Sequence, residues 1–342
     1  MKIEKIGEFG LINKIASKTR NSRDVVVGIG DDAAVLKYTK DKYLLLSTDM
    51  LVEDVHFKLK SKRAGTGGGL TGFQIGRKAL AVNISDIAAM GGLPKYALIS
   101  AGLPPGLPLK FAEDIYRGIN SLARKYNIDI VGGDTVKSEK LVINIALSGA
   151  VEKKYLVTRK GAKCGDLIFV TGPLGGSIQA KHFKFEPRVK AARALVKKIK
   201  PTSMIDISDG LSSDLTRIIE AGNIGALIYE EQIPVSRAAR KKAVDKKIRP
   251  VEFALHDGED FELLFTLPAS KIRKIMPVKS IAIASLKLPA GGESAPSLTK
   301  LINRPVRCIG RITKAGSGLK ILRANNQIEL LSVKGHDHFG KR

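Results

Sequence analysis

The stretch KALAVNISDIAAMGG, residues 78–92, constrains the chain more than any other. Ala, Val, Leu, Ile and Met run through it, and after Lys78 its one charge is Asp86. A helix that is apolar on every side must be covered on every side, so the rest of the chain has to wrap it. A carboxylate buried in such a helix is costly unless it is paired, hydrogen-bonded or bound to a metal. The pattern predicts a helix over 76–91, with Asp86 near its end facing something that accounts for its charge.

The other acids point the same way. Ten of the eighteen aspartates fall in six short stretches rich in Gly, Ser or Thr. These are GIGDDAAV (28–35), STDML (47–51), NISD (83–86), VGGDTV (131–136), IDISDGLSSDL (205–215) and HDGEDFELLF (256–265). Most adjoin strand-like runs such as YLLLS or ELLF, and turns at strand ends are where α/β proteins place their sites. One Asp in such a turn is ordinarily a cap, as Asp214 is expected to be. Six clusters exceed what capping explains. If they converge, the carboxylates repel and raise one another's pKa values, a conflict that divalent cations resolve. Oxygen ligands without His or Cys clusters select Mg2+ or Mn2+, and Mg2+ usually bridges carboxylates to substrate phosphates. The reading is a nucleotide site in which metal joins an acidic surface to ATP. Familiar phosphate loops do not supply it. GIGDDA carries two acids and leads into a strand-like AVLKY, so it is no Rossmann fingerprint, and the sequence has no Walker A or protein-kinase motif. Gly132 and Gly133 of VGGDT offer close backbone approach to phosphates instead.

At 342 residues the chain suits two domains, and the mixed order of strands and helices indicates an α/β (α+β) fold with a boundary near 152. Strands are expected at 25–28, 33–38, 43–48, 95–103, 128–132 and 141–151, with helices at 76–91 and 108–126. After the boundary, helices are expected near 174–183, 187–198, 211–221 and 236–246. Strands are expected near 226–230, 261–267, 306–312 and 319–323. Residues 65–72 read as a Gly-rich surface loop or lid, and 285–305 as a loose insertion. There is no secretory leader and no apolar run of about 18 residues able to span a bilayer, so a soluble, cytoplasmic protein is expected. Cys164 and Cys308 form no metal motif and read as ordinary structural residues. The net charge of +25 attracts polyanions. Much of it lies in 181–200 and 236–250, which also carry apolar residues at helical spacing and so read as solvated basic helix faces. No nucleic-acid-binding motif accompanies the charge and the chain has no Trp, which disfavours a specific nucleic-acid partner.

Taken together, GEFGLI, GIGDDAAV, STDMLVEDVHF, KALAVNISDIAAMGG, GGDT, TRKGAKCGDLIFVTG, DISDGLSSDL, DGEDFELLF and KGHDHF resemble the thiamine-monophosphate kinase family in order and spacing nearly end to end. That family belongs to the superfamily of aminoimidazole ribonucleotide synthetase and selenophosphate synthetase. The resemblance implies a two-domain fold of that type. Residues 1–151 would bind ATP and Mg2+ and pair through a β-barrel in a homodimer, and residues 152–342 would complete the site. The implied activity is ATP-dependent phosphorylation of thiamine monophosphate to thiamine diphosphate, the last step of its biosynthesis. By motif, Asp32, Ser47, Thr48, Asp49, Asp86, Asp134, Asp206 and Asp209 look like ligands of several Mg2+ ions. Tyr116, Gly133, Asp134, Arg159 and Ser208 look like ATP contacts. His56, Glu259 and His336 look like substrate contacts, His336 standing where the family often has an aromatic residue.

This chemistry agrees with the residues. A phosphate monoester acceptor is already anionic near neutral pH and needs no general base, so no side chain is assigned a catalytic proton transfer. Bringing two polyanions into line requires charge neutralisation and positioning. The alternatives are a sister enzyme acting like aminoimidazole ribonucleotide synthetase, or a basic non-catalytic nucleic-acid binder. A selenophosphate synthetase would carry a reactive Cys in an N-terminal Gly-rich loop, whereas the first Cys here is Cys164.

Overall fold

The computed structural model describes residues 2–59, 70–177, 181–275 and 296–333. The first half begins with helix α1 (Gly7–Ala16) and builds a six-stranded sheet. Its strands are β1 (Val25–Val27), β2 (Ala34–Lys37), β3 (Lys42–Val52), β4 (Leu93–Leu103), β5 (Asp129–Lys137) and β6 (Val142–Glu152), in the order β1-β2-β3-β6-β4-β5. Helix α2 (Gly72–Ala89) precedes β4, and α3 (Leu109–Tyr126) crosses over between the parallel pair β4 and β5. The second half carries β7 (Asp166–Thr171), α4 (Val189–Ala194), β8 (Ser203–Asp206), α5 (Leu211–Gly222), β9 (Gly225–Tyr229), α6 (Arg237–Lys246), α7 (Pro250–His256) and β10 (Leu263–Pro268). It continues through α8 (Ala269–Ile275), α9 (Pro296–Ile302), β11 (Val306–Thr313), β12 (Leu319–Leu322) and β13 (Ile328–Leu330). The second sheet runs β13-β12-β9-β11-β7-β10-β8.

Helix α2 occupies the centre. Thr71 and Gln74 form a reciprocal capping box at its start, with Thr71 Oγ1 accepting from Gln74 N at 3.2 Å and Gln74 Oε1 accepting from Thr71 N at 3.0 Å. Its side chains Ile75, Leu80, Ile84 and Ile87 are fully buried. They share one core with Leu45, Ile145 and Leu147 of the first sheet and with Phe169, Met204 and Phe265 on one face of the second. The opposite face of the second sheet, with Val170, Ile205 and Leu264, packs against Leu211 and Leu215 of α5 and Leu255 of α7. The helix is buried on nearly every side because it lies between two sheets and against α3. At roughly 1.5–3 kcal/mol for each large apolar side chain buried, it is a major stabilising element.

The crossing of α2 and α3 is close enough to require glycine. A Cβ at Gly76 would stand 1.9 Å from the Ile115 carbonyl oxygen, and one at Gly118 would stand 2.1 Å from that of Phe73.

Several expectations change. Helix α2 begins at Gly72 rather than 76, β3 runs on to Val52, and β5 to Lys137. Residues 181–183 form a single 3-10 turn rather than the end of a helix over 174–183. The helix over 187–198 is α4 followed by a π-helical turn over Leu195–Ile199. The described part of 285–305 holds α9, while 65–69 and 285–295 lie outside the described residues.

The reading of 181–200 as a solvated face is corrected outright. Arg188 is buried and grips Glu262 through Nε at 2.7 Å and Nη2 at 2.5 Å, and Arg193 bonds Glu152 at 2.9 Å and the Gly91 carbonyl at 2.6 Å. Carboxylates distant in sequence draw these cations inward. The stretch 236–250, by contrast, is largely exposed.

Gly76→Ala is expected to destabilise the protein by roughly 1–3 kcal/mol or more, because the contact is with backbone that cannot yield. Thermal melting checks it, and an unchanged melting temperature would contradict the close crossing.

Candidate functional site

Where the two halves meet lies a cavity of about 600 Å³, walled by the 29–32 loop, the end of β3, α2, Arg159, the 206–209 turn and the 258–261 segment, with Glu8, Ile12 and Asn13 of α1 at its edge. In α2, Asp86 turns toward it. In β3 the alternation of side chains sends Ser47 and Asp49 toward α2 and Thr48 to the other face. Ser47 Oγ donates to Asp86 Oδ2 at 2.5 Å, and Ser85 Oγ donates to Asp206 Oδ2 at 2.5 Å. Asp206 ends β8, and Asp32 follows the Gly30 turn.

Asp32, Asp86 and Asp206 each bring a carboxylate oxygen within 4.8 Å of the others. Burial, with Asp49, Asp206 and Asp32 beside it, pushes Asp86 well above the ordinary carboxylate range despite the bond from Ser47. Burial, then Asp32, pushes Asp206 up to about 8. Burial lifts Asp49 to about 6, against a hydrogen bond with Asp86. Burial also raises Asp32, against the charge of Arg159. Arg159 Nη2 donates to Asp32 Oδ1 at 2.6 Å, whereas Asp32 Oδ2 is buried with no partner among the described residues. An orphaned acceptor beside two raised carboxylates, all oxygen and without His or Cys, fits a hard divalent cation.

Of the residues singled out from sequence, Asp32, Thr48, Asp49, His56, Asp86, Arg159, Asp206, Ser208, Asp209 and Glu259 line the cavity, with Ser47 directly behind Asp86. Gly133 and Asp134 do not: they lie on β5, an exposed edge strand. Tyr116 lines a separate small apolar hollow with Ile99, Ala101 and Ile143. His336 lies outside the described residues. Asp214 is buried and accepts from the backbone N–H groups of Asp209 and Gly210, as a local cap should.

Four lining or supporting groups escaped the sequence reading. Asp31, the neighbour of Asp32, accepts from Arg159 N at 3.1 Å and is pushed up to about 7 by burial and by Asp32. Arg217 of α5 pairs with Asp209. Lys78 and His182 both hold Glu259. Burial would raise Glu259, but the His182 hydrogen bond and the Lys78 charge bring it down to about 2. Adjacent acids signalled Asp31, and a lysine at the head of the apolar stretch signalled Lys78. Nothing local distinguished His182 or Arg217.

Because Asp86 titrates in the folded protein far above its unfolded value, its ionised form weakens the fold at high pH, and that penalty fades as pH falls toward the ordinary carboxylate range. Asp86→Asn is therefore expected to melt at an equal or higher temperature than wild type at pH 8 with EDTA, the difference shrinking by pH 5. Earlier melting at both pH values would make Asp86 a structural cap.

Known proteins resemble this chain over nearly its full length. Residues 30–151 match the family model described as AIR synthase related protein, N-terminal domain. The thiamine-monophosphate kinase of Bacillus subtilis (strain 168) is 35% identical over 355 aligned positions, which cover 97% of this chain and 99% of that protein. The thiamine-monophosphate kinase of Rhodopirellula baltica is 39% identical over 266 positions, 75% of this chain and 81% of that one. The solved structure described as AaThiL complexed with AMPPCP and TMP aligns at a TM-score of 0.75 with 32% identity, covering 99% of both chains. A hydrogenase maturation protein HypE in complex with ATP shares the fold alone, at a TM-score of 0.65 and 21% identity. With this coverage and identity, the chain belongs to the thiamine-monophosphate kinase family.

Proposed function

We propose that the protein transfers the γ-phosphoryl group of ATP to thiamine monophosphate, giving thiamine diphosphate and ADP. The observation that carries this is the meeting of Asp32, Asp86 and Asp206 at the cavity, with Asp32 Oδ2 buried and without a partner among the described residues. Asp32, Asp86 and Asp206 would hold Mg2+, with Asp49, Asp209 and Ser47 alongside, while the Thr48 hydroxyl, on the other face of β3 and bonded to Asn144, is not among them. Mg2+ bound there would neutralise the triphosphate and tie its oxygens to the protein. Arg159, held at the cavity by Asp31 and Asp32, offers a guanidinium to the transferring phosphate. Glu259, anionic at the cavity wall, repels the acceptor's phosphate and favours its cationic thiazolium ring. The apolar walls at Val55, Val82 and Phe261 suit the same end. The acceptor phosphate thus points toward ATP, already nucleophilic, and positioning supplies the catalysis.

A homodimer is part of this reading. The face of the first sheet turned away from α2 exposes Leu46, Met50, Tyr96, Leu98 and Val136, an apolar surface of the kind that pairs with a second copy. Gly133 and Asp134 lie on the strand that edges this face, so their role at ATP requires a second subunit to bring its cavity to them.

Thiamine diphosphate is expected only when ATP, Mg2+ and thiamine monophosphate are all present, and EDTA should abolish it. Turnover of free thiamine but not its monophosphate would refute the assignment. Asp86→Asn should lower turnover by a factor on the order of hundreds, about 3–4 kcal/mol of transition-state stabilisation. Near-normal turnover would separate Asp86 from the metal.

A further inference from the structure

Besides Asp86 and the Arg77 that pairs with Glu186, helix α2 carries a charge that phosphoryl transfer does not use. Lys78 is fully buried, two turns before Asp86. Its Nζ donates to Glu259 Oε2 and lies 3.5 Å from the His56 carbonyl oxygen, with the Phe183 ring 5.2 Å away. His56 follows β3 in the first half of the chain, and Glu259 precedes β10 in the second. One ammonium therefore ties together the two residues assigned to the acceptor, from opposite sides of the cavity.

The carboxylate is further fixed. His182 Nδ1 lies 2.8 Å from the same Oε2, its ring edge-on to Phe183 at 3.8 Å between centroids. Glu259 has a φ of +69°, a left-handed conformation that a non-glycine residue keeps only where its surroundings impose it, and its N–H donates to the Ser208 carbonyl at 2.6 Å. Both side-chain partners use Oε2. Oε1 has none among the described residues, while Glu259 lines the cavity. A buried ion pair serving stability alone needs no such arrangement, since an apolar pair of similar shape does as well or better.

We propose that Lys78, seconded by His182, is a positioning residue for the acceptor substrate: it locks Glu259 Oε2 and the His56 turn so that Glu259 Oε1 meets the cationic organic end of thiamine monophosphate. This rests on the acceptor assignment above and adds residues to which that assignment gives no role. Lys78 touches neither substrate; it acts through Glu259 and His56.

The test compares steady-state kinetics of wild type, Lys78→Met and the double variant Lys78→Met/Glu259→Gln, each checked for folding by thermal melting. Lys78→Met strands a buried carboxylate and is the variant more prone to misfold, whereas the double variant replaces the pair with neutral groups of similar size. In folded Lys78→Met, or Lys78→Gln where that variant does not fold, Glu259 is retained, and the KM for thiamine monophosphate should rise by about tenfold or more while the KM for ATP changes by no more than about twofold. The folded double variant should show the same acceptor KM, since Lys78 acts through that carboxylate. An acceptor KM within about twofold of wild type overturns the proposal, as does an equal rise in both KM values, which would mean general disruption of the cavity. A double variant that fails to fold makes the pair a requirement of the fold and overturns it as well. Wild type that does not phosphorylate thiamine monophosphate would refute the acceptor assignment instead, a result distinguishable from all of these.

Discussion

Mutual repulsion among buried carboxylates governs how this molecule is built. Asp32, Asp86 and Asp206 come from a loop, a helix and a strand end separated widely in sequence, and each is driven upward in pKa by burial, Asp86 and Asp206 by acidic neighbours as well. Left to themselves these groups would push the two halves of the chain apart. The opposing force is apolar: α2 buries most of its surface against the two sheets and α3 and carries Asp86 with it into the gap. Ser47 and Ser85 hold two of the acids by hydrogen bonds, and Arg159 holds a third. The site is thus assembled at the expense of electrostatic strain that a divalent cation relieves.

The cations divide into those that complete the fold and those that meet solvent. Arg188 and Arg193 neutralise Glu262 and Glu152 in or near the interior, while the lysines of α6 stand largely in water. Around an acidic cavity, a positive exterior draws anionic nucleotides by its long-range field without competing for the metal-binding carboxylates.

What could be read from the sequence follows from how local each signal was. The buried central helix and its lone Asp were readable because apolar content and one charge are properties of a single segment. The gathering of Asp32, Asp49, Asp86, Asp206 and Asp209 was readable because the sequence sets each in a short stretch rich in Gly, Ser or Thr, even though Asp49 proves to lie within β3, Asp86 within α2 and Asp206 at the end of β8. The burial of Arg188 was not, since its partner Glu262 lies 74 positions away and basic residues at helical spacing look the same whether they face water or a carboxylate. His182 was hidden in a basic stretch for the same reason. The capping box of Thr71 and Gln74 moved the start of α2 four residues upstream of the apolar pattern, because capping is set by polar residues outside it. Gly133 and Asp134 carried a recognisable motif, yet their distance from the cavity depends on how the sheet is laid out.

If strain among the acids is what a metal relieves, metal binding must expel protons. Near pH 7, Asp206, pushed up to about 8, is partly protonated, and burial among acids drives Asp86 in the same direction. Metal ligation requires these carboxylates ionised, so binding of Mg2+ with a non-hydrolysable ATP analogue should release protons beyond those lost by the nucleotide itself. Calorimetric titration at pH 7 in buffers of different ionisation enthalpy measures that number directly. A clear net release, diminished in Asp86→Asn, is the predicted result; binding with no protein-derived protons would show that the acidic cluster is not where the metal sits.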